Sequence, residues 1–299
     1  MRAGGERPGP IDGEGPVTEQ DIDVSVVIPA RDAAGTISPQ LEALVRQETD
    51  RRFEVIVVDN GSTDRTAAVA GGFADRLDIT VVAGPAEPNR SLARNAGVAV
   101  ARGPVLAFCD ADDEVDPRWL ACLCRDVASL GVVTGSFRRA SVVDGEPAVA
   151  AMRPVFRGFP ILSSNNFAIR RDDYNAVGGF NPSFRHRVDV ELTCRLLLAG
   201  IEVHHEPAAL VRYNRRPTLR AEMRQHYHWA VAGARIFKTY RRDVPLSHSW
   251  KNSVKHWLLL LPLFVRGVRS RAERHAVALT LATLCGQLVG SVRYRTLYL

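Results

Sequence analysis

From Asp23 onward, short β-branched runs alternate with stretches of helical periodicity. Strands that follow one another across helices pair in parallel, so this alternation confines the chain to βαβ units. Residues 24–28, 53–58, 79–82 and 105–109 have the length and composition of buried strands. Between them, residues 36–47 place Ile37, Leu41, Leu44 and Val45 at helical spacing. A second helix is expected from about Asp64, capped by the Ser and Thr of Asn60-Gly61-Ser62-Thr63, and a third over 91–101. Further on, 119–130 reads as helix, 132–137 and 167–169 as strands, and 190–199 as helix. From about Thr218 the pattern is helical throughout. The expected fold class is α/β: a Rossmann-like, mostly parallel sheet with a C-terminal helical extension. Residues 1–22 are rich in Gly, Pro and acid, without an apolar run that could serve as a signal peptide, and read as a disordered leader. The expected units are thus a leader over 1–22, a catalytic domain over 23–217 and a basic, apolar extension over 218–299.

In open parallel sheets, ligands bind at the carboxyl ends of the strands. Here those ends carry Asp59 after the second strand and Asp110, Asp112 and Asp113 after the fourth. Carboxylates packed this closely repel one another unless a cation or a donor-rich ligand lies between them. A divalent ion, Mn²⁺ or Mg²⁺, holding a diphosphate meets that need, because such ions favour one or two carboxylates plus phosphate oxygens. The plainer account of Asp110-Ala111-Asp112-Asp113 is a solvated helix start before Pro117. Five cysteines, with no second pair to complete a zinc site beside Cys122-Leu-Cys124, point to reduced thiols.

Several segments together resemble family 2 glycosyltransferases of the A-type fold. They are Val26-Val27-Ile28-Pro29-Ala30, Val57-Val58-Asp59-Asn60-Gly61-Ser62-Thr63-Asp64, Arg94-Asn95-Ala96-Gly97, and Phe108-Cys109-Asp110-Ala111-Asp112-Asp113. The likeness continues through Asn165 to Arg171, Val177-Gly178-Gly179-Phe180 and Asp189-Val190-Glu191-Leu192, and covers residues 23–235. It implies an inverting, non-processive enzyme that moves one sugar from a nucleotide-sugar donor, UDP-linked for preference, to a hydroxyl acceptor. It further implies that Pro29, Ala30, Arg31 and Asp59 hold the base and ribose. Arg94, with Asn95 beside it, would lie along the diphosphate. Asp110 would face the nucleotide and Asp112 would ligate the metal. Asp189 would be the general base, with Gly179, Phe180, Glu191 and Trp229 on the acceptor side. Glu191 and Asp189 stand two apart on a helix, so only one of them can reach the substrate. The chain departs from the family pattern at Val188, where an acid is usual, and at Leu210-Val211-Arg212-Tyr213, where a metal-binding His is common. Gln225-His226-Tyr227-His228-Trp229 partly resembles the Gln-x-x-Arg-Trp element of processive members, with His228 in place of the Arg. His204 and His205, with no further ligand at metal spacing, read as surface or strand-end histidines.

Charge is divided unevenly along the chain. Residues 1–211 hold 22 basic and 30 acidic residues, and residues 212–299 hold 17 basic and 3 acidic. The basic end carries two apolar blocks, 257–265 and 276–292, bordered by Lys251, Lys255, Arg266, Arg269, Arg271, Arg274, Arg293 and Arg295. Helices of this kind lie in an anionic membrane interface. That suits a peripheral enzyme on the inner face of a cell membrane, whose acceptor is a lipid-linked or cell-surface glycan precursor. The alternative is a buried helical hairpin that packs on the catalytic domain or forms a dimer contact. Charges interleaved with apolar blocks, with no base-reading motif, argue against nucleic acid as a partner. A catalytically impaired nucleotide-sugar-binding scaffold is the alternative motivated by Val188.

Overall fold

The structure is a computed structural model that describes residues 22–143, 146–150, 160–213, 218–246, 258 and 270–298. The leader apart from Ile22, and the apolar block 257–265 apart from Leu258, lie outside the described residues.

The first half of the sheet forms as the sequence expects. β1 (Val24–Ala30), β2 (Phe53–Asp59), β3 (Ile79–Ala83) and β4 (Val105–Cys109) pair in parallel in the order β3-β2-β1-β4. They are joined by α1 (Ile37–Val45), α2 (Thr66–Gly71) and α3 (Arg90–Val100). All seven residues of β1 are buried, as a strand covered on both faces requires. Val26 and Ile28 join one core cluster, with Leu41, Leu44 and Trp119, whereas Val27 joins the cluster of Phe108, Phe167 and Phe180 on the other face.

Beyond β4 the sheet is mixed rather than parallel. The chain continues through β5 (Glu114–Val115), α4 (Trp119–Cys124), α5 (Val127–Leu130), β6 (Val132–Val143), β7 (Glu146–Ala150) and β8 (Asn166–Arg170). Then come α6 (Arg171–Ala176), α7 (Val188–Leu198) and β9 (Val203–Tyr213). β8 runs antiparallel to both β4 and β6, β9 runs parallel to β6 and antiparallel to β5, and β7 runs antiparallel to β6, giving nine strands in one sheet. The β4–β8 register sets Phe108 opposite Phe167, and the two rings stack with centroids 4.6 Å apart. Asn166 clamps this half. Its side chain accepts from Trp119 Nε1 at 2.8 Å and donates to the carbonyls of Ser136 and Ala209 at 2.8 and 3.1 Å.

Two elements differ from expectation. The helix expected over 119–130 breaks between α4 and α5, where Asp126 leaves helical geometry at φ −116° and its carbonyl accepts from Ser129 and Leu130. β9 has no counterpart in the sequence reading, because Pro207 interrupts it and its burial does not alternate regularly.

The C-terminal region is helical. α8 (Leu219–Tyr240) and α9 (Arg271–Tyr294) pack as a pair, with Gly286 set against the carbonyl of Tyr227 and a Cβ on Gly290 reaching within 2.7 Å of Ala234 Cβ. Ser270 and Glu273 form a reciprocal capping box that starts α9.

Gly97 fixes the depth of α3. A Cβ there would lie 2.5 Å from Val27 Cγ1 and 3.0 Å from Val58 Cγ2, so only glycine lets the helix settle this far onto β1 and β2. Overpacking a filled core costs about 1–3 kcal/mol, so Gly97→Ala is expected to lower unfolding stability by about that much in a urea titration. A variant as stable as the parent would contradict this packing.

Candidate active site

The ends of β1 and β2 form a laced cradle. Register places Ala30 beside Asp59, and Asp59 Oδ1 accepts from the Ser62 amide at 2.9 Å. Pro29 and Ala30 are buried, and exposed Arg31 pairs with Asp32 at 3.7 Å. Asp32 adopts a left-handed φ of 48° and joins the two loops. Its carboxylate accepts from the amide and hydroxyl of Thr63 at 2.8 and 3.0 Å, while its amide donates to Ser62 Oγ at 3.0 Å. Ser62 and Thr63 therefore hold the β1–α1 loop and do not cap α2, as the sequence had suggested. The start of α2 is tied instead by Asp64, which accepts from the Thr66 amide at 3.0 Å.

A cavity of about 250 Å³ is lined by Arg94, Asp110, Asp112 and Asp189, with Gln225 and Trp229 from α8, and Pro29, Ala30, Arg31 and Asp59 do not line it. Arg94 is 1% exposed and its Nη2 donates to Asp110 Oδ1 at 2.6 Å. Its guanidinium centre lies 5.2 Å from the Phe180 ring centroid, a cation–π distance. Its Nε and Nη1 are buried without a hydrogen-bond partner in the protein. A guanidinium so placed has donors left over for an anionic oxygen.

Oxygens of Asp110, Asp112 and Asp113 all lie within 4.8 Å of one another. Asp113 is buried and accepts from Asn165 Nδ2 at 2.5 Å, and Asn165 is positioned by Ser163 Oγ at 2.8 Å. Three hard carboxylate oxygens converging in this way fit Mg²⁺ or Mn²⁺. The cluster is thus compatible with a divalent metal.

Asp189 enters the same cavity from the first turn of α7. Its Oδ1 accepts from the Val190 amide at 2.9 Å, and burial raises its carboxyl above the usual aspartate range against the opposing pull of Arg187 and Arg94. The preceding residue, Arg187, holds a left-handed φ of 53° and places its buried Nε in the site without a partner. Strain of this kind costs about 1–3 kcal/mol and persists only where the surroundings impose it. The His186 ring stacks on His228 at 4.6 Å and 9°.

Four of the expected contacts are structural. Glu191 is 0% exposed and does not line the cavity. It accepts from Arg195 Nη2 at 2.7 Å, Tyr240 OH at 2.8 Å and Asn181 Nδ2 at 3.2 Å, which docks α8 onto α7. Phe180 is buried in a cluster with Phe108, Phe167 and Tyr174, beneath Arg94. Gly179 has φ 64°, and a Cβ there would meet Tyr174 at 2.8 Å. Asn95 faces this turn and not the cavity. It donates to the Phe180 carbonyl at 2.8 Å and accepts from Tyr174 OH at 2.6 Å. Of the acceptor-side residues expected, Trp229 lines the cavity. His205 bonds Ser136 at 2.9 Å on β6, and neither it nor His204 lines the cavity. Asn165 opens a segment of the family resemblance but carries no role in the sequence reading, and Asp32 and Arg187 are not singled out in it. For Arg187 no local signal exists, since an αL arginine is a rare tertiary outcome.

The two acids of α7 should respond oppositely to neutralisation. Glu191→Gln leaves Arg195 short of its charge partner and is expected to cost about 3 kcal/mol in denaturant unfolding. Asp189→Asn removes a desolvated carboxylate and should leave stability at neutral pH unchanged or slightly raised. The reverse order would contradict this division of roles.

Comparison with known proteins agrees with the geometry. Residues 25–186 match the family described as Glycosyl transferase family 2, and residues 150–292 match Glycosyl transferase family group 2. A "Pre-mycofactocin glycosyltransferase" of Mycobacterium tuberculosis is 32% identical over 216 residues, covering 66% of this chain and 44% of that protein. The chain therefore spans less than half the length of this relative. Among solved structures, S. aureus TarS 1–349 in complex with UDP superposes with a TM-score of 0.55 at 16% identity, covering 92% of this chain and 91% of that one. The mannosyltransferase PcManGT from Pyrobaculum calidifontis, in complex with GDP-Man and Mn²⁺, gives 0.58 at 17%, covering 91% and 74%. With the family match extending over more than half of its residues, the chain belongs to glycosyl transferase family 2.

Proposed function

We propose that this chain is a metal-dependent, inverting, non-processive glycosyltransferase that moves one sugar from a nucleotide-sugar donor, UDP-linked for preference, to a hydroxyl of a lipid-linked or cell-surface glycan precursor. The observation that carries the reading is that the Arg94–Asp110 pair, Asp112 and the raised carboxyl of Asp189 line one cavity. Structural relatives in complex with UDP and with GDP-Man and Mn²⁺ support the donor class.

The chain's residues have distinct tasks. The cradle of Pro29, Ala30, Arg31 and Asp59 holds the nucleoside, Asp59 accepting from a ring N–H of the base. Arg94 donates to the diphosphate and stabilises the charge that grows there as the sugar–oxygen bond breaks. Asp112, with Asp110 and Asp113 beside it, would hold a divalent cation, which would supply Lewis acidity to the same leaving group. Asp189 takes the proton of the acceptor hydroxyl as its oxygen forms the new bond to the sugar carbon. A single base and one displacement give inversion. Trp229 offers an apolar face to the acceptor.

α9 supports a membrane-surface location for this reading. Residues Glu273–Tyr294 form a helix long and apolar enough to cross a membrane, and Leu288, Val289 and Val292 on it are exposed. With Arg274, Arg293 and Arg295 nearby, this face suits peripheral binding to an anionic inner leaflet.

Three outcomes are expected. UDP with Mn²⁺ should raise the melting temperature, and Asp112→Ala should remove the Mn²⁺-dependent part. A shift that is equal without Mn²⁺ would contradict the metal role. Asp189→Asn should retain UDP affinity but lose about 10²–10⁴-fold in transfer. Because the base acts ionised and its carboxyl is raised, the rate should climb with pH through a midpoint above the ordinary aspartate value of about 4. An acidic limb at the ordinary value would remove Asp189 from that role. Finally, Val292→Glu should weaken flotation with anionic vesicles, and flotation unaffected by it would place the membrane contact elsewhere.

A further inference from the structure

The cavity carries a second set of charges that the donor reading does not use. Arg185 and Arg187 stand on the loop before α7, Arg90 on the first turn of α3 and Arg224 on α8. The first three line the cavity. Arg224 acts on both imidazoles of the stacked His186–His228 pair. Burial, then His228 and the guanidiniums of Arg90, Arg185 and Arg224, hold His186 down at about 4, and His186 lines the cavity together with Arg90, Arg185 and Arg187. Among the described residues, Arg185 has one ion-pair partner, exposed Glu87, while Arg90, Arg187 and Arg224 have no carboxylate at ion-pair distance. The Nε of Arg187 is buried without a partner.

Arg90, Arg185 and Arg224 bear on His186 and Arg187 lines the same cavity, and guanidiniums brought together in this way repel one another, just as the carboxylates at the end of β4 do. The donor's diphosphate is already matched by Arg94 and a cation on Asp112, so a second anion accounts for the second set. Guanidiniums pair bidentately with phosphate oxygens, and a neutral imidazole N–H can donate to the same group. The loop that carries Arg185 and Arg187 leads directly into Asp189, so an anion held there lies beside the base.

We propose that the acceptor bears a phosphate ester, held by Arg185, Arg187, Arg90 and Arg224 at the His186–His228 pair, which brings its hydroxyl to Asp189. This rests on the glycosyltransferase reading and names the substrate class of that site. The phosphate can belong to a soluble molecule or to a lipid headgroup.

The test uses the full chain saturated with UDP and Mn²⁺, the loading step itself being followed calorimetrically. It is then titrated with sn-glycerol 3-phosphate, with glycerol, and with vesicles of phosphatidic acid or of phosphatidylcholine. Saturable binding of a phosphate probe without release of UDP is expected, while glycerol and phosphatidylcholine should not bind in this way. Arg185→Gln and Arg224→Gln should each weaken binding about tenfold, the scale of one charge-assisted hydrogen bond, with UDP affinity retained. Binding of glycerol 3-phosphate supports a soluble acceptor, and binding of phosphatidic acid alone supports a lipid one. Displacement of UDP by the probe, no binding of either probe, or equal binding by both variants overturns the proposal. Failure of the loading step overturns the donor reading and this inference with it.

Discussion

A guanidinium held almost wholly out of water, 2.6 Å from the Asp110 carboxylate, sets the terms for the rest of the molecule. Burying a charge costs several kcal/mol unless its partners are fixed in place. The packing around Arg94 meets that condition. Gly97 lets α3 sink between Val27 and Val58, so the arginine one turn earlier on the helix reaches the end of β4. Phe180 lies over the guanidinium, and Asn95 ties the Phe180 backbone and the Tyr174 hydroxyl to the same helix. The stacked Phe108 and Phe167 form the floor of this arrangement and join the parallel half of the sheet to the mixed half. Motif residues that touch no ligand thus hold one charge in position.

The opposite wall follows from α7 and α8. Glu191, Arg195 and Tyr240 form a buried polar anchor that fixes α8 against α7. From that position α8 presents Gln225 and Trp229 to the cavity, with His228 against His186. The strained turn at Arg187 then delivers Asp189 to the same space. Two acids two residues apart on one helix divide their tasks by face, one toward the cavity and one into the protein, as helical spacing requires.

Much of the parallel half was legible in the sequence, because a strand buried on both faces leaves a continuous β-branched run and its polar end is conspicuous. Asp110 and Asp112 stand out at that edge for this reason, whereas Asp189, on α7, is marked only by the family resemblance; all three line the cavity. β9 could not, since Pro207 and irregular burial erase the period of two. The acceptor side was read less well. Gly179, Phe180 and Glu191 stand near the site in sequence but serve packing, and only tertiary contacts reveal which face of a loop or helix is turned inward. The basic set at Arg90, Arg185, Arg187 and Arg224 is scattered over three elements, and no local spacing announces it. The charge division along the chain marks the C-terminal region as strongly basic, without showing that α8 helps to build the cavity.

The central claim is that one cavity holds donor diphosphate, metal and base together. The most direct measurement is a crystal structure of the chain with UDP and Mn²⁺, with the ion located by anomalous scattering. The account predicts Mn²⁺ at about 2.2 Å from an Asp112 oxygen, phosphate oxygens on Arg94, the base beside Asp59, and the Asp189 carboxylate facing the β-phosphate across open space. Nucleotide bound away from Arg94, or an ion held by residues other than the Asp110, Asp112 and Asp113 cluster, would contradict it.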